Sequence, residues 1–137
     1  MKSITIALLI TSCFLINAQG QSDHESSPGA EIVKSSWQSR WDIHNTEKVP
    51  FSVDVKNTGT KTMVGITWQY IILDKYRQNG VIDTLTFESK KDIKPGETKH
   101  LSKSIDYSHA LDNYTARTRL IRIKFADGTQ WERKDRQ

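Results

Sequence analysis

Asp106, Ser108 and His109 bring the residue types of a hydrolase triad into one short stretch. Acyl transfer needs a nucleophile, a base that takes its proton and an acid that orients the base, and these are assembled in space rather than by adjacency in the chain. No nucleophile-elbow glycines frame Ser108, so a solvated loop is the plainer reading and no catalytic residue is assigned. His24, His44, His100 and His109 are scattered, with no zinc-ligand spacing and no acidic calcium loop. Folding His100 toward His109 is the one metal arrangement left open, and neither a metal nor a cofactor is expected.

Recognition by contact is a better fit to the remaining chemistry. Exposed indoles can grip sugar rings or a partner protein, and the chain holds Trp37, Trp41, Trp68 and Trp131. Trp68 sits centrally in an alternating apolar run and reads as core; the other three fit either face, with burial favoured. Trp41 stands as a candidate contact. Tyr76, Tyr107 and Tyr114 fall in predicted loops and are candidate partner contacts for that reason. Arg117, Arg119, Arg122 and Lys124 share one predicted hairpin, where Arg122 and Lys124 lie on the face opposite Ile121, Ile123 and Phe125. Such a basic face is ordinarily solvated and discourages edge pairing; its sharper reading is contact with an anionic polymer or a lipid headgroup. Asn113-Tyr114-Thr115 is a glycosylation sequon, meaningful only in a eukaryotic source.

The N-terminus suggests the compartment. Lys2, the apolar run Ile4 to Ile16 and Ala18-Gln19-Gly20 read as an export signal over residues 1–20, with the mature chain starting at Gln21. The run is shorter than the roughly 20 residues of a spanning helix and is broken by Thr11 and Ser12. Cys13 is the single cysteine, so cleavage leaves no thiol and stability must come from an ordinary core. A competing reading takes Ile10-Thr11-Ser12-Cys13 as a lipobox with a lipid anchor on Cys13; the continued apolar run Phe14-Leu15-Ile16 speaks against it. Without Lys2 the balance is 19 basic against 16 acidic side chains. There is no arginine-rich run or aromatic-basic repeat, and nucleic acid is not expected as a partner.

About 117 mature residues suit one domain. Residues 21–30 read as a flexible lead-in and 31–137 as the domain. From Glu31 to Ile43, spacing fits either a helix through Val33, Trp37 and Trp41 or a strand face through Val33, Ser35, Trp37, Ser39, Trp41 and Ile43; the serines favour strand. Phe51, Val53 and Val55 alternate with polar residues, as do Val64, Ile66, Trp68, Tyr70 and Ile72, and the Asn57-Thr58-Gly59 turn between them predicts a hairpin. Asn79-Gly80 predicts a second turn before a Val81 to Phe87 strand. Pro95-Gly96 predicts a type II turn before His100 to Ile105. Asp106 to Thr115 reads as a loop. The Arg117 to Phe125 and Thr129 to Arg133 strands surround Ala126-Asp127-Gly128: a three-residue loop pairs Ile123 with Trp131 and buries the indole, whereas a two-residue loop pairs it with Lys124 outside. The pattern predicts an all-β chain, an immunoglobulin-like antiparallel β-sandwich of about seven strands.

The order Val-x-Asn-x-Gly, Ile-x-Trp-x-Tyr, Ile-x-Pro-Gly-Glu-Thr, Asp-Gly-Thr-x-Trp resembles bacterial extracytoplasmic immunoglobulin-like modules, and is similar to the small domains with the FxLYD signature. Val53 to about Ile105 carry the likeness. The aromatic-x-Leu-Tyr-Asp signature survives as Tyr70-Ile71-Ile72-Leu73-Asp74. The resemblance implies a fold and an extracytoplasmic place, periplasmic or outside the cell, and no catalytic residue. The expected role is a non-catalytic binding or structural module that meets a protein partner or envelope component through its loops. A carbohydrate module using Trp37 and Trp41, and a small hydrolase with an unrecognised site, are the alternatives.

Overall fold

The computed structural model describes residues 27–37, 48–77, 80–106 and 114–134. Seven strands carry the fold: β1 (Ala30–Trp37), β2 (Lys48–Asn57), β3 (Met63–Asp74), β4 (Val81–Ser89), β5 (Thr98–Asp106), β6 (Tyr114–Phe125) and β7 (Gln130–Glu132). They form two antiparallel sheets, β1-β2-β5 and β4-β3-β6-β7, the seven-stranded β-sandwich that the pattern predicts. Between them lie Phe51, Val53 and Val55 from one sheet and Ile66, Trp68, Tyr70, Ile72, Phe87, Leu120 and Ile123 from the other, all buried. Phe51 and Tyr70 meet edge to face at 5.0 Å, and Phe87 lies within 6.2 Å of Phe51, Trp68 and Tyr70. Such a cluster supplies much of the buried apolar area of a chain this size.

The expected β2–β3 hairpin is not one. β2 pairs with β1 and β5, while β3 pairs with β4 and β6, so the two alternating runs face each other across the core. Alternation reports which face is apolar, and it is silent on which neighbour completes the ladder. The link between them is built around Asn57, which is fully buried. Its Nδ2 donates to the carbonyls of Lys61 and Ile93, both at 2.8 Å, and its Oδ1 accepts from Gly59 N–H at 3.0 Å. Gly29 O accepts from Thr58 N–H and shares the Gly59 N–H with Asn57 Oδ1. A Cβ on Gly59 would lie 3.1 Å from Gly29 Cα, a tight contact that the two backbones would have to ease apart to admit.

Three bulges correct the expected faces. In β3 the register slips between Met63 and Gly65, so Met63 rather than Val64 joins Ile66 in the core. In β1 it slips between Ile32 and Lys34; Val33 is 54% exposed, while Ile32 and Trp37 pack on the core. In β6, Arg122 opposes Thr67 and Leu120 opposes Trp68, which leaves Ile121 unpaired between them. An extra residue in one strand reverses every face beyond it. Ser27 and Ala30, within the stretch read as lead-in, are buried.

The turns follow their glycines. The Lys94 to Glu97 turn closes with Glu97 N–H on Lys94 O at 3.0 Å and Gly96 at φ 81°. At Phe125 to Thr129, Gly128 takes φ 83° and the three-residue loop sets Ile123 opposite Trp131, so the indole packs on the core. Of the four tryptophans, Trp41 lies outside the described residues, as do Cys13, the export signal, the sequon Asn113 and the Asn79 turn residue.

Candidate functional site

Tyr76 stands on the turn between β3 and β4 and is 80% exposed. The described residues of that turn are joined by hydrogen bonds. Asp74 Oδ1 accepts from Tyr76 N–H at 2.8 Å, Asp74 N–H donates to Gly80 O, and Gly80 N–H donates to Arg77 O. A short polar side chain that bonds the backbone two residues on fixes such a turn. Immediately across it, Val81 and Ile82 are exposed at 61% and 42%. The register slips between Ile72 and Leu73, so Ile82 is the extra residue of β4 and stands out from the ladder. Three of the four exposed large apolar side chains of the described residues thus gather at one end of the four-stranded sheet; the fourth, Val33, is on β1.

The other expected contacts do not join this cluster. Tyr114, at the start of β6, is half-buried against the core, so it is a packing residue more than a free loop contact. Trp41 and Tyr107 lie outside the described residues, as do Ser108, His109, His24 and His44. Trp37 stacks on Phe51 at 6.3 Å, which takes it out of a flat exposed pair of indoles.

Arg122 and Lys124 do share the outer face of the four-stranded sheet, and the bulge at Ile121 adds two more. Arg117, Arg119, Arg122 and Lys124 oppose Ile71, Gln69, Thr67 and Gly65, the β3 positions that alternate with the core set. The sequence pattern alone sends Arg117 and Arg119 to that face only if the bulge is known. The row is internally bonded: Arg119 Nε donates to Gln69 Oε1 and Gln69 Nε2 to Thr86 Oγ1, each at 3.0 Å, and Lys124 lies 3.9 Å from Glu88. Glu132 stands opposite Arg122 as well, so the row is of mixed charge, although Arg122 Nε is buried and finds no hydrogen-bond partner among the described residues.

The chain matches no protein family, curated protein or solved structure. Its chemistry is therefore read from its own side chains. One pair was not foreseen: His100 on β5 and Asp54 on β2 are register partners on the outer face of the three-stranded sheet, with Nδ1 2.6 Å from Oδ1. The neighbouring row holds Ser36, Ser52 and Ser102, with the Ser36 and Ser52 hydroxyls 2.8 Å apart. An aspartate that orients an imidazole beside serines has the residue types of a hydrolase. It lacks the setting, because His100 is 64% exposed on an open sheet face where water screens every charge. Alternation sets Asp54 opposite the Val53 and Val55 face, but pairing β2 with β5, which brings His100 to it, is a long-range fact that no local spacing carries. Among the described residues no three His, Cys, Asp or Glu side chains gather as a metal site.

Proposed function

We propose that this chain is an exported, non-catalytic binding module that meets a protein partner through the β3–β4 end of its sandwich. The observation that carries the reading is the gathering of Tyr76, Val81 and Ile82 there, exposed and held on a hydrogen-bonded turn. An aromatic anchor with aliphatic neighbours is the composition of an interface centre, and the Asp74 bond to Tyr76 N–H lowers the cost of ordering that residue on binding. Export rests on the residue pattern of positions 1–20, and places the partner in the periplasm or outside the cell. Surface alanines or serines would serve an isolated domain equally well, so three large apolar groups together call for a contact.

A photo-crosslinking residue at position 76, with one at Val33 as a control, tests the reading in cells that express the chain with its own leader. A discrete adduct from position 76, absent from position 33 and lost when Val81 and Ile82 become serine, is expected. Equal or no labelling from the two positions would overturn it.

A further inference from the structure

Cations on a sheet reach one ligand only if they share a face, and in β6 a bulge decides that. Side chains two apart in a strand point the same way, so a regular strand would send Arg117 and Arg119 to one face and Arg122 and Lys124 to the other. The unpaired Ile121 removes the mismatch. Arg117, Arg119, Arg122 and Lys124 oppose Ile71, Gln69, Thr67 and Gly65, all on the outer side of the four-stranded sheet. They stand in a line along one strand, on the order of 20 Å from end to end at about 3.4 Å per residue. Arg117 and Lys124 are exposed at its ends, and Arg119 and Arg122 are half-buried between them. Glu88 and Glu132 lie on the same face, both in the row of Arg122. Four cations thus share the described face with two carboxylates.

We infer that this line of cations binds an acidic polysaccharide, an extended chain whose uronate carboxylates follow β6. The site is separate from the protein contact at Tyr76 and does not depend on it. Three of the four cations are arginines, whose planar fork takes a carboxylate through two parallel hydrogen bonds. Arg122 shows the demand most directly: its Nε is buried without a hydrogen-bond partner among the described residues, although Glu132 is its register partner. A guanidinium spreads its charge over its nitrogens, so an anion at the terminal pair offsets part of the cost of that desolvated donor. Neighbouring strands supply groups that suit sugar hydroxyls. Gln69 and Thr86 lie in the row of Arg119, Thr84 in that of Arg117 and Gln130 in that of Lys124. A single-stranded nucleic acid draws on aromatic faces for its bases, and the exposed aromatic of the described residues, Tyr76, stands beyond the end of the line. A bilayer fits less well than a polymer. Taking up Tyr76 and Val81 would lay it across the strand ends, where it meets Arg117 and leaves Lys124 roughly two Debye lengths away.

Isothermal titration of the full chain with polygalacturonate, which carries a carboxylate on every sugar, and with neutral dextran is the test. Binding of polygalacturonate alone is expected, weakening with salt as displaced counterions lose their advantage. Arg117→Gln/Lys124→Gln removes the two exposed ends of the line and should weaken binding at least tenfold. Lys99→Gln/Lys103→Gln removes the same net charge from exposed positions on β5, in the other sheet, and should change it by less than about twofold. Equal losses in the two variants would reduce the effect to net charge and overturn the site. So would equal binding of dextran, or no binding of polygalacturonate. Phosphatidylglycerol vesicles held more tightly than polygalacturonate, with the same dependence on Arg117 and Lys124, would overturn the polysaccharide in favour of a membrane surface. Should the first variant fail to fold, amide shifts of the unaltered chain decide. With a polygalacturonate oligomer they should move along β6 and β3 and stay still along β5; shifts centred on β5 or on Tyr76 would overturn the placement.

Discussion

The hydroxyl of Tyr70, on the central strand of the four-stranded sheet, donates to the carbonyl of Ser36 in the opposite sheet at 3.0 Å. The Ser52 carbonyl lies close enough to share the same proton. One phenol therefore reaches through the aromatic core, between Phe51 and Phe87, and holds two strands of the facing sheet at their backbone.

Tyr70→Phe should cost about 1–3 kcal/mol, because the buried Ser52 carbonyl loses its phenol donor, while the part-buried Ser36 carbonyl keeps the Ser52 hydroxyl at 3.3 Å. Burial, opposed in part by those two carbonyls, pushes the Tyr70 phenol well above its usual value. The folded state thus prefers the neutral phenol, and this contribution is intact below the unfolded tyrosine value of about 10 and lost as pH rises beyond it. Urea midpoints of wild type and Tyr70→Phe measured from pH 8 to 11 should converge at the alkaline end. Parallel curves would mean that the hydroxyl does not couple to folding.

Asp127 works at the acid end. Its carboxylate lies 2.7 Å from Lys61 Nζ and accepts from the N–H and hydroxyl of Thr129 at 2.9 and 2.5 Å. The Lys61 bond first, then the two from Thr129, hold its carboxyl well below the usual carboxylate range. That contribution is present above the unfolded value of about 4 and fades as pH falls below it. The pair is solvent-exposed and screened, so the effect on global stability should be small and salt-sensitive. Carboxyl NMR should show Asp127 titrating below the other aspartates, and Lys61→Met should return it toward them.

Asn57→Ala should destabilise by about 2–4 kcal/mol. The amide side chain satisfies two carbonyls and one N–H in the β2–β3 crossing, and each buried group left without a partner adds a desolvation cost. Asn57→Asp is the sharper comparison, since it keeps the acceptor for Gly59 and loses both donors. Chemical denaturation that ranks Asp near Ala assigns the stability to the donated bonds.

These two corners also show what the chain makes legible. Period-two alternation in Phe51 to Val55 and in Ile66 to Ile72 identifies the core faces, because side-chain direction is local physics. The Ala126-Asp127-Gly128 loop is equally local: a glycine at positive φ decides that Trp131 opposes Ile123. Asn57-Thr58-Gly59 is as good a turn signal, yet its strands part, since the bonds that settle their partners come from Gly29, Ile93 and Glu97. Bulges at Val33, Val64 and Ile121 are set by the partner strand and leave no mark on their own sequence. For the candidate site, exposure of Tyr76 follows from its turn, whereas Tyr114 packs on the core because β6 begins there. The gathering of Val81 and Ile82 beside Tyr76 depends on the slip at Leu73.

Thr118→Val should stabilise the fold. Thr118 is 3% exposed on β6, opposite Tyr70, and its hydroxyl finds no hydrogen-bond partner among the described residues. A buried hydroxyl without a partner keeps its desolvation cost and gains nothing in return. Valine has nearly the same shape, keeps the β-branch that suits a strand and replaces the hydroxyl with a methyl. A gain of about 1 kcal/mol is expected, read as a higher denaturant midpoint at an unchanged slope, so that the denatured state is not the source of the change. Loss of stability would mean that the hydroxyl is bonded in solution, and Thr118→Ser, which retains the group while removing the methyl, would then be the better tolerated of the two.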